Sequence, residues 1–359
     1  MRIKDRLQKL RQRLPEKEID GIFISQPENR QYLSGFNGSA GYLLITRDSA
    51  VLATDFRYVE QAKAQAPDYE LFRIEGSLIE WFPRLITDFS LSTLGFEGGD
   101  VTFTLYRLLA AILDKAHSQI SLNPVDGLVE ELRAVKEPEE IELITRAVEI
   151  SDKALDYIEG RIREGMTEKQ IAWDIERYMR EHGSQAVPFE VIVASGPNTA
   201  MPHAKPSERE IAKQEPIVID IGARVGGYCS DITRTLCLDI PPYKEDIFNK
   251  VYDTVLGAQL AAIALIREGM TGEEADRIPR LMISDAGFGE AFGHSLGHGV
   301  GLVPHEQPRL GPKSNDILCS GMVFSIEPGI YRPGWGGVRI EDLAVMENGK
   351  VRVLSQARK

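Results

Sequence analysis

The sequence predicts an α/β (α+β) protein in two parts: a mixed α/β N-terminal domain over residues 1–130, and over residues 131–359 a pseudo-twofold domain made of two similar halves. Three observations predict it. At 359 residues the chain exceeds the roughly 100 to 200 residues that one core commonly serves. Residues 1 to 122 alternate short strand and helix patterns. Beyond them, Arg163-Glu164-Gly165-Met166-Thr167 returns unchanged as Arg267-Glu268-Gly269-Met270-Thr271 in matching surroundings, which marks an internal duplication.

The opening MRIKDRLQKLRQRL is basic but lacks the apolar stretch of a targeting segment, and Ile3, Leu7, Leu10 and Leu14 have helical spacing, so it reads as a first helix. Residues 21–25 (GIFIS) read as a strand and Pro27 to Ser34 as a short helix opened by its proline. Tyr42 to Thr46 and Ala50 to Thr54 form a hairpin across Arg47-Asp48. Helices follow at Phe56 to Ala66, Leu78 to Phe89 and Leu105 to Ala116, with short strands at Thr93 to Phe96 and Ile120 to Leu122. The domain boundary falls in the charged stretch between Asn123-Pro124 and Pro138. In the second domain, long helical patterns at Glu139 to Ile162 and Lys244 to Ile266 precede the two copies of the pentapeptide. In each copy the Gly ends one helix, and the Thr opens the next through a Thr-x-x-Gln or Thr-x-x-Glu capping box.

A formal net charge of -12 argues against a phosphate backbone as partner, so no nucleic-acid role is expected. Three cysteines without CxxC spacing indicate neither a disulfide framework nor a thiolate zinc site, which suits a reducing cytoplasm. No run of 18 apolar residues exists, so no membrane span is expected.

Each half then reaches a hairpin that carries two acids. In IVIDIGARVGGYCSDITRTL (217–236), a turn centred between Val225 and Gly226 sets Asp220 opposite Asp231, with Cβ atoms roughly 4.5 to 5.5 Å apart. Cys229 shares strand parity with Asp231. In FSIEPGIYRPGWGGVRIEDLAV (324–345), a turn centred on Gly334 sets Glu327 opposite Glu341. Facing halves bring the four carboxylates into one cavity, where their repulsion is relieved by a shared proton or by cations; two divalent ions are the natural count. Between the hairpins, FGHSLGHGVGLVPHE (292–306) holds three of the six histidines, His294, His298 and His305, among glycines that let the backbone approach whatever they bind. A fourth, His203, lies in PNTAMPHAKPS upstream of Asp220. An oxygen-rich site with an imidazole suits manganese, cobalt, iron or zinc. A pair of such ions lowers the pKa of water for hydrolysis, with a carboxylate to take the proton and the remaining histidines to stabilise an oxyanion.

Set in IDIGARVGGYCSDITRT, GHSLGHGVGLVPHE, SIEPGIY and VRIEDLAV, the residues Asp220, Asp231, His298, Glu327 and Glu341 resemble the metal ligands of the Xaa-Pro peptidases, aminopeptidase P and prolidase, which have the pita-bread fold. YLSGFNGSAGYLLI and TDFRYVEQA resemble the creatinase-like N-terminal domain of that family. The resemblance implies that Asp231 and Glu341 bridge two divalent ions, manganese first among the candidates. It implies that Asp220 binds one ion, and that His298 and Glu327 bind the other. Glu327 would also accept the proton of the attacking water. His305 matches the histidine that stabilises the tetrahedral intermediate, His203 and His294 those that line the substrate site, and Arg339 an arginine near it. The implied substrates are small peptides with proline second, whose tertiary amide has no N–H and a fixed φ. Dipeptides and longer peptides both remain open at this point. A homodimer is implied too, and the loop Phe36-Asn37-Gly38-Ser39 is the candidate for reaching a partner's cleft. A methionine aminopeptidase would share the five ligands and the fold, but the N-terminal domain and the triplet Pro304-His305-Glu306 favour the proline group. A non-catalytic pita-bread interaction module is disfavoured by the retention of all five ligands.

Overall fold

A computed structural model describes residues 3–239 and 247–359, and the chain divides into two compact units between Arg133 and Ala134. The first unit runs α1 (Ile3–Arg13), β1 (Gly21–Ile24), α2 (Pro27–Ser34), β2 (Tyr42–Thr46), β3 (Ala50–Thr54), α3 (Val59–Gln65), β4 (Glu70–Arg73), α4 (Leu78–Ile86), β5 (Thr93–Glu97), α5 (Phe103–Lys115) and β6 (Ser121–Val125); a short α6 (Glu130–Ala134) follows. Leu7 and Leu10 of α1 are buried as their spacing predicts, while Met1 and Arg2 of the expected helix lie outside the described residues. One mixed sheet has the order β4-β3-β2-β1-β5-β6, and its core gathers Phe23, Trp81, Phe82, Leu109 and Ile112.

Three local features depart from the sequence reading. Edge strand β4 went unread because only Leu71 and Phe72 of its four residues are partly buried, Glu70 and Arg73 being exposed, and it carries no alternating apolar pattern. The helix expected from Phe56 begins as a 3-10 turn over Phe56–Tyr58, whose entry Asp55 caps by accepting from Arg57 N. In the loop after α2 the Phe36 ring is fully buried, and the Arg30 guanidinium donates to the carbonyls of Gly38 and Gly41, leaving Asn37 and Ser39 exposed.

The second unit begins with α7 (Pro138–Glu159), α8 (Glu168–Glu181), β7 (Ile192–Ser195), β8 (Pro216–Ile221), β9 (Arg224–Val225), β10 (Tyr228–Cys229) and β11 (Ile232–Cys237). It continues with α9 (Ile247–Leu265), α10 (Gly272–Asp285), β12 (Gly297–Gly299), β13 (Glu306–Leu310), β14 (Val323–Ile326), β15 (Gly329–Arg332), β16 (Gly336–Arg339), β17 (Asp342–Glu347) and β18 (Lys350–Val353). Lys244, Glu245 and Asp246, expected to open α9, lie outside the described residues. Ile171, Ile175 and Met179, four apart on α8, are fully buried in one cluster with Ile217 and Ile219 of β8, each such side chain contributing about 1.5 to 3 kcal/mol. In the other half, Ala262, Ile266 and Ala275 from the α9–α10 region cluster with Phe324, Ile326 and Ala344 of β14 and β17.

The duplication extends to individual hydrogen bonds. Gly165 and Gly269 both take a left-handed φ, 85° and 86°, that a Cβ would disfavour. Gly165 N donates to Ile211 O, and Gly269 N to Leu318 O, at 2.9 and 2.8 Å. Ile211 and Leu318 return the bond to Met166 O and Met270 O. Thr167 and Thr271 each open the following helix with a complete capping box. Asp220 follows Ile211 at the same interval as Glu327 follows Leu318, so the two acids occupy equivalent places.

The two hairpins differ in how their register was legible. Ile326 pairs with Asp342, and Gly329 with Arg339, so the alignment about Gly334 carries Glu327 opposite Glu341 as predicted. In the first hairpin Val225 pairs with Tyr228 and Asp220 with Thr233, not with Asp231. The turn is centred between Gly226 and Gly227. A two-residue hairpin turn of this hand needs positive φ at both central positions, and this pair supplies 59° and 89°, whereas Val225 would be strained there. Asp231 is therefore the diagonal neighbour of Asp220 on the same face, at a Cα spacing of roughly 7 to 8 Å rather than directly across.

Candidate active site

All nine residues singled out from the sequence, His203, Asp220, Asp231, His294, His298, His305, Glu327, Arg339 and Glu341, line one cavity of about 500 Å³ within the second unit. Strand breaks put the acids there. The β14–β17 ladder stops at Ile326 and Asp342 and resumes as β15–β16, so Glu327 and Glu341 sit in the gap, and Asp231 sits in the corresponding gap before β11. Glu341 is held by its own N–H to Thr233 O and Glu327 by its N–H to Leu296 O. His298 lies between Gly297 and Gly299, where a Cβ would stand 2.0 Å from a carbonyl oxygen of β14 or of Gln307, so only glycine lets the strand carrying the imidazole come this close.

Ligand-type atoms of Asp231, His298 and Glu341 all lie within 4.8 Å of one another. His298 Nε2 is 3.1 Å from Glu327 Oε1 and 3.8 Å from Asp231 Oδ2. Its Nδ1–H donates to Gly299 O at 3.2 Å, which in the neutral tautomer turns the Nε2 lone pair toward these acids. Asp220 Oδ2 accepts from Arg339 Nη2 at 2.6 Å, while its buried Oδ1 has no hydrogen-bond partner among the described residues.

Burial, reinforced by neighbouring carboxylates, chiefly Glu341 for Asp231 and Glu327 for Glu341, pushes the Asp231 and Glu341 carboxyls well above the ordinary range. Burial also raises Asp220, against the opposing charge of Arg339. Burial works the same way on Glu327, but the hydrogen bond and charge of His298 overcome it and hold that carboxyl down to about 2. For His298, desolvation opposes the charged form and Glu327 outweighs it, raising its pKa. Three acids pushed up, a buried carboxylate oxygen without a donor among the described residues and an imidazole nitrogen set among carboxylates are the features of a cation site, and the residues present fit divalent ions.

The supporting shell came from residues that the sequence reading did not select. Thr233 Oγ1 donates to Glu341 Oε2, and Ser325 Oγ donates to Glu327 Oε1 at 3.0 Å. Arg339 is taken up by Pro202 O, Tyr331 Oη, Thr233 Oγ1 and Asp220. His294 donates from Nδ1 to Ser295 O and accepts at Nε2 from Tyr331 Oη, and burial keeps it below the ordinary histidine value. Strand parity with Asp231 was the available signal for Thr233, just as parity with Glu327 was for Ser325. The same parity misleads for Cys229, which is buried with Sγ on Leu302 O at 3.7 Å and is not part of the cavity wall.

Known proteins resemble this chain in both of its units. Residues 142–348 match the model of metallopeptidase family M24, and residues 6–135 match the creatinase/prolidase N-terminal domain. The chain is 37% identical to the Xaa-Pro dipeptidase of Pyrococcus furiosus, over 99% of both chains. It superposes on the solved Xaa-Pro dipeptidase from Bacillus anthracis with a TM-score of 0.95 and 38% identity, covering 100% of this chain and 99% of that one. For the X-Pro aminopeptidase from Thermotoga maritima the TM-score is 0.86 at 37% identity, over 95% and 96% of the two chains. The fold is thus the pita-bread arrangement behind a creatinase-like domain, and the chain belongs to metallopeptidase family M24.

Proposed function

We propose that this chain hydrolyses the bond between an N-terminal residue and a following proline, with two divalent ions held by Asp220, Asp231, His298, Glu327 and Glu341. The observation that carries the reading is the buried Asp220 Oδ1, which has no donor among the described residues, in a cavity that Asp231, Glu327 and Glu341 also line. Such an oxygen bears its full desolvation cost until a cation meets it. Four carboxylates and one imidazole suit manganese first, with cobalt, iron or zinc as alternatives. When bound, the ions acidify water and polarise the scissile carbonyl.

The chain's own groups supply the remaining steps. Glu327, ionised at neutral pH and steadied by Ser325, accepts the proton of the attacking water. His305, whose ring centroid lies 4.1 Å from that of His298, is kept below the ordinary histidine value by burial and by the charge of His298. It is therefore neutral at pH 7 and donates its one N–H to the tetrahedral oxyanion. His203 and His294 shape the substrate wall, His294 with both ring nitrogens engaged. Arg339, with four partners, orients Asp220 rather than the substrate.

Within this reading, dipeptides are the proposed preference. Arg309 lies on the cavity wall as a counter-ion for the free carboxylate that only a dipeptide places directly on proline, while Lys205 on the same wall is paired with Glu190 at 2.9 Å. Turnover of Ala-Pro, Ala-Pro-Ala and Met-Ala-Ser in manganese tests the reading. Ala-Pro should be cleaved fastest and Met-Ala-Ser not at all; cleavage of Met-Ala-Ser alone would replace it with a methionine aminopeptidase.

A further inference from the structure

Glu168, the first residue of α8, is fully buried. Its Oε1 accepts from Ser195 N at 2.7 Å, Ser195 Oγ at 2.8 Å and Asn198 Nδ2 at 3.0 Å. Its Oε2 accepts from Ser207 N at 3.0 Å, Ser207 Oγ at 2.6 Å and again Asn198 Nδ2 at 3.2 Å. One carboxylate thus fastens both ends of segment 195–207. Between those ends lie Pro202, His203, Ala204 and Lys205, all on the cavity wall. An exposed acid at a helix start is accounted for by the helix dipole alone. A buried one is not, because its desolvation must be offset by donors, and here every side-chain donor comes from the segment rather than from the helix.

The duplication provides an internal control. The residue equivalent to Glu168 in the other half is Gly272. Glu168 N donates to Arg209 O and Gly272 N to Asp316 O, while Lys169 N donates to Ser207 O and Glu273 N to Ser314 O, so the backbone frames correspond. A Cβ on Gly272 would stand 2.0 Å from Arg309 O and 2.7 Å from Ser314 Oγ. The second half fills that space with main chain, and the carboxylates that hold its segment come from other positions, Glu273 accepting from Lys313 N and Asp316 from Arg309 N. The repeated frame therefore does not require a buried acid at this place: the equivalent stretch also borders the cavity, through His305 and Arg309, and is packed by main chain where the first half uses Glu168.

We propose that Glu168 is a positioning residue for substrate: by tying Ser195, Asn198 and Ser207 together it sets the place of His203 and Lys205 on the cleft wall, and so governs substrate binding rather than metal binding or bond cleavage. This rests on the functional reading above in taking that wall as the substrate's. The middle of the segment keeps its own tie to the metal side, through Pro202 O and Arg339 Nη1 at 3.1 Å, so loss of Glu168 loosens the wall without releasing Asp220.

The test uses the full, manganese-loaded chain with Ala-Pro. Glu168→Gln turns an amide N–H₂ toward donors, and Glu168→Asp keeps the charge at the helix start but is one methylene too short to reach both ends. Both should raise KM about tenfold or more while leaving kcat within about threefold and metal per chain unchanged. Amide exchange across 195–207 should quicken, with α7 and β8 unaffected. Ser207→Ala, which removes one donor and leaves the carboxylate paired, should show a smaller rise in KM and guards against misfolding of the other two. Wild-type KM in Glu168→Asp would reduce Glu168 to a helix-dipole charge and overturn the proposal, as would a fall in kcat alone or a loss of metal. A wild type inactive on Ala-Pro would instead refute the functional reading, and unchanged exchange at 195–207 in Glu168→Gln overturns the positioning claim with or without activity.

Discussion

The hydroxyl of Thr233 donates to Glu341 at 2.7 Å and at the same time accepts from Arg339 Nε at 3.0 Å, so one side chain joins a candidate metal ligand to the arginine that holds another. Thr233→Val keeps the shape and removes both bonds. Such support for a ligand is commonly worth about 10- to 100-fold in metal affinity or activity. The expected outcome is a loss of that size in manganese affinity measured by titration calorimetry, with Thr233→Ser close to wild type. Undiminished affinity in Thr233→Val would remove Thr233 from the site.

The histidines separate by metal content. His305→Ala should keep both ions after desalting and lower kcat by about 10² to 10³, the cost of one oxyanion donor. His298→Ala should lose metal, with activity only partly restored by excess manganese, and Glu341→Ala should lose both ions. An emptied site in His305→Ala beside a loaded His298→Ala would reverse the two roles.

Metal also bears on stability, because Asp231 and Glu341 lie buried against further carboxylates. Manganese at 100 times its Kd should stabilise the folded chain by about 2.7 kcal/mol relative to the chelated protein. For a unit of this size that is a rise in Tm of roughly 5 to 10 °C. Asp231→Asn should melt no lower than the chelated wild type and should lack the rise. Scanning calorimetry with and without chelator measures both, and an equal rise in the variant would place the ions elsewhere.

A pH dependence belongs to the first unit. Burial pushes the Glu97 carboxyl from 4.5 up to about 7, although Ser25 N, Ser25 Oγ, Gln26 N and Asn29 Nδ2 all donate to it. A raised carboxyl binds its proton more tightly in the folded state. Its contribution to stability is therefore complete below about pH 4.5 and is lost as pH rises through about 7. The unit should be less stable at pH 8 than at pH 5.5 by on the order of 1 to 3 kcal/mol, and Glu97→Gln should flatten the difference. Urea unfolding followed by Trp81 fluorescence, with Trp173 and Trp335 replaced by Phe, reads it; a wild-type midpoint independent of pH would contradict it.

Much of the site could be read in the sequence because its chemistry is written locally. The repeated pentapeptide, the capping boxes at Thr167 and Thr271 and the acids of each hairpin depend on residues a few positions apart, and short-range backbone preferences decide them. For Glu327 and Glu341 that was enough, since the turn about Gly334 sets their register. For Asp220 it was not: whether the turn sits on Val225-Gly226 or one residue later was decided by which pair accepts positive φ at both positions, and only the folded hairpin displays the choice. What tertiary structure alone decided is the company each group keeps. Thr233 meets Glu341 across 108 residues of chain, Arg339 reaches Asp220 across 119, and Glu168 gathers Ser195 and Ser207 from 27 and 39 residues away. No periodicity encodes such pairings, because a buried carboxylate takes whichever donors the packing of distant elements brings within hydrogen-bonding reach, and that packing is settled by the core as a whole.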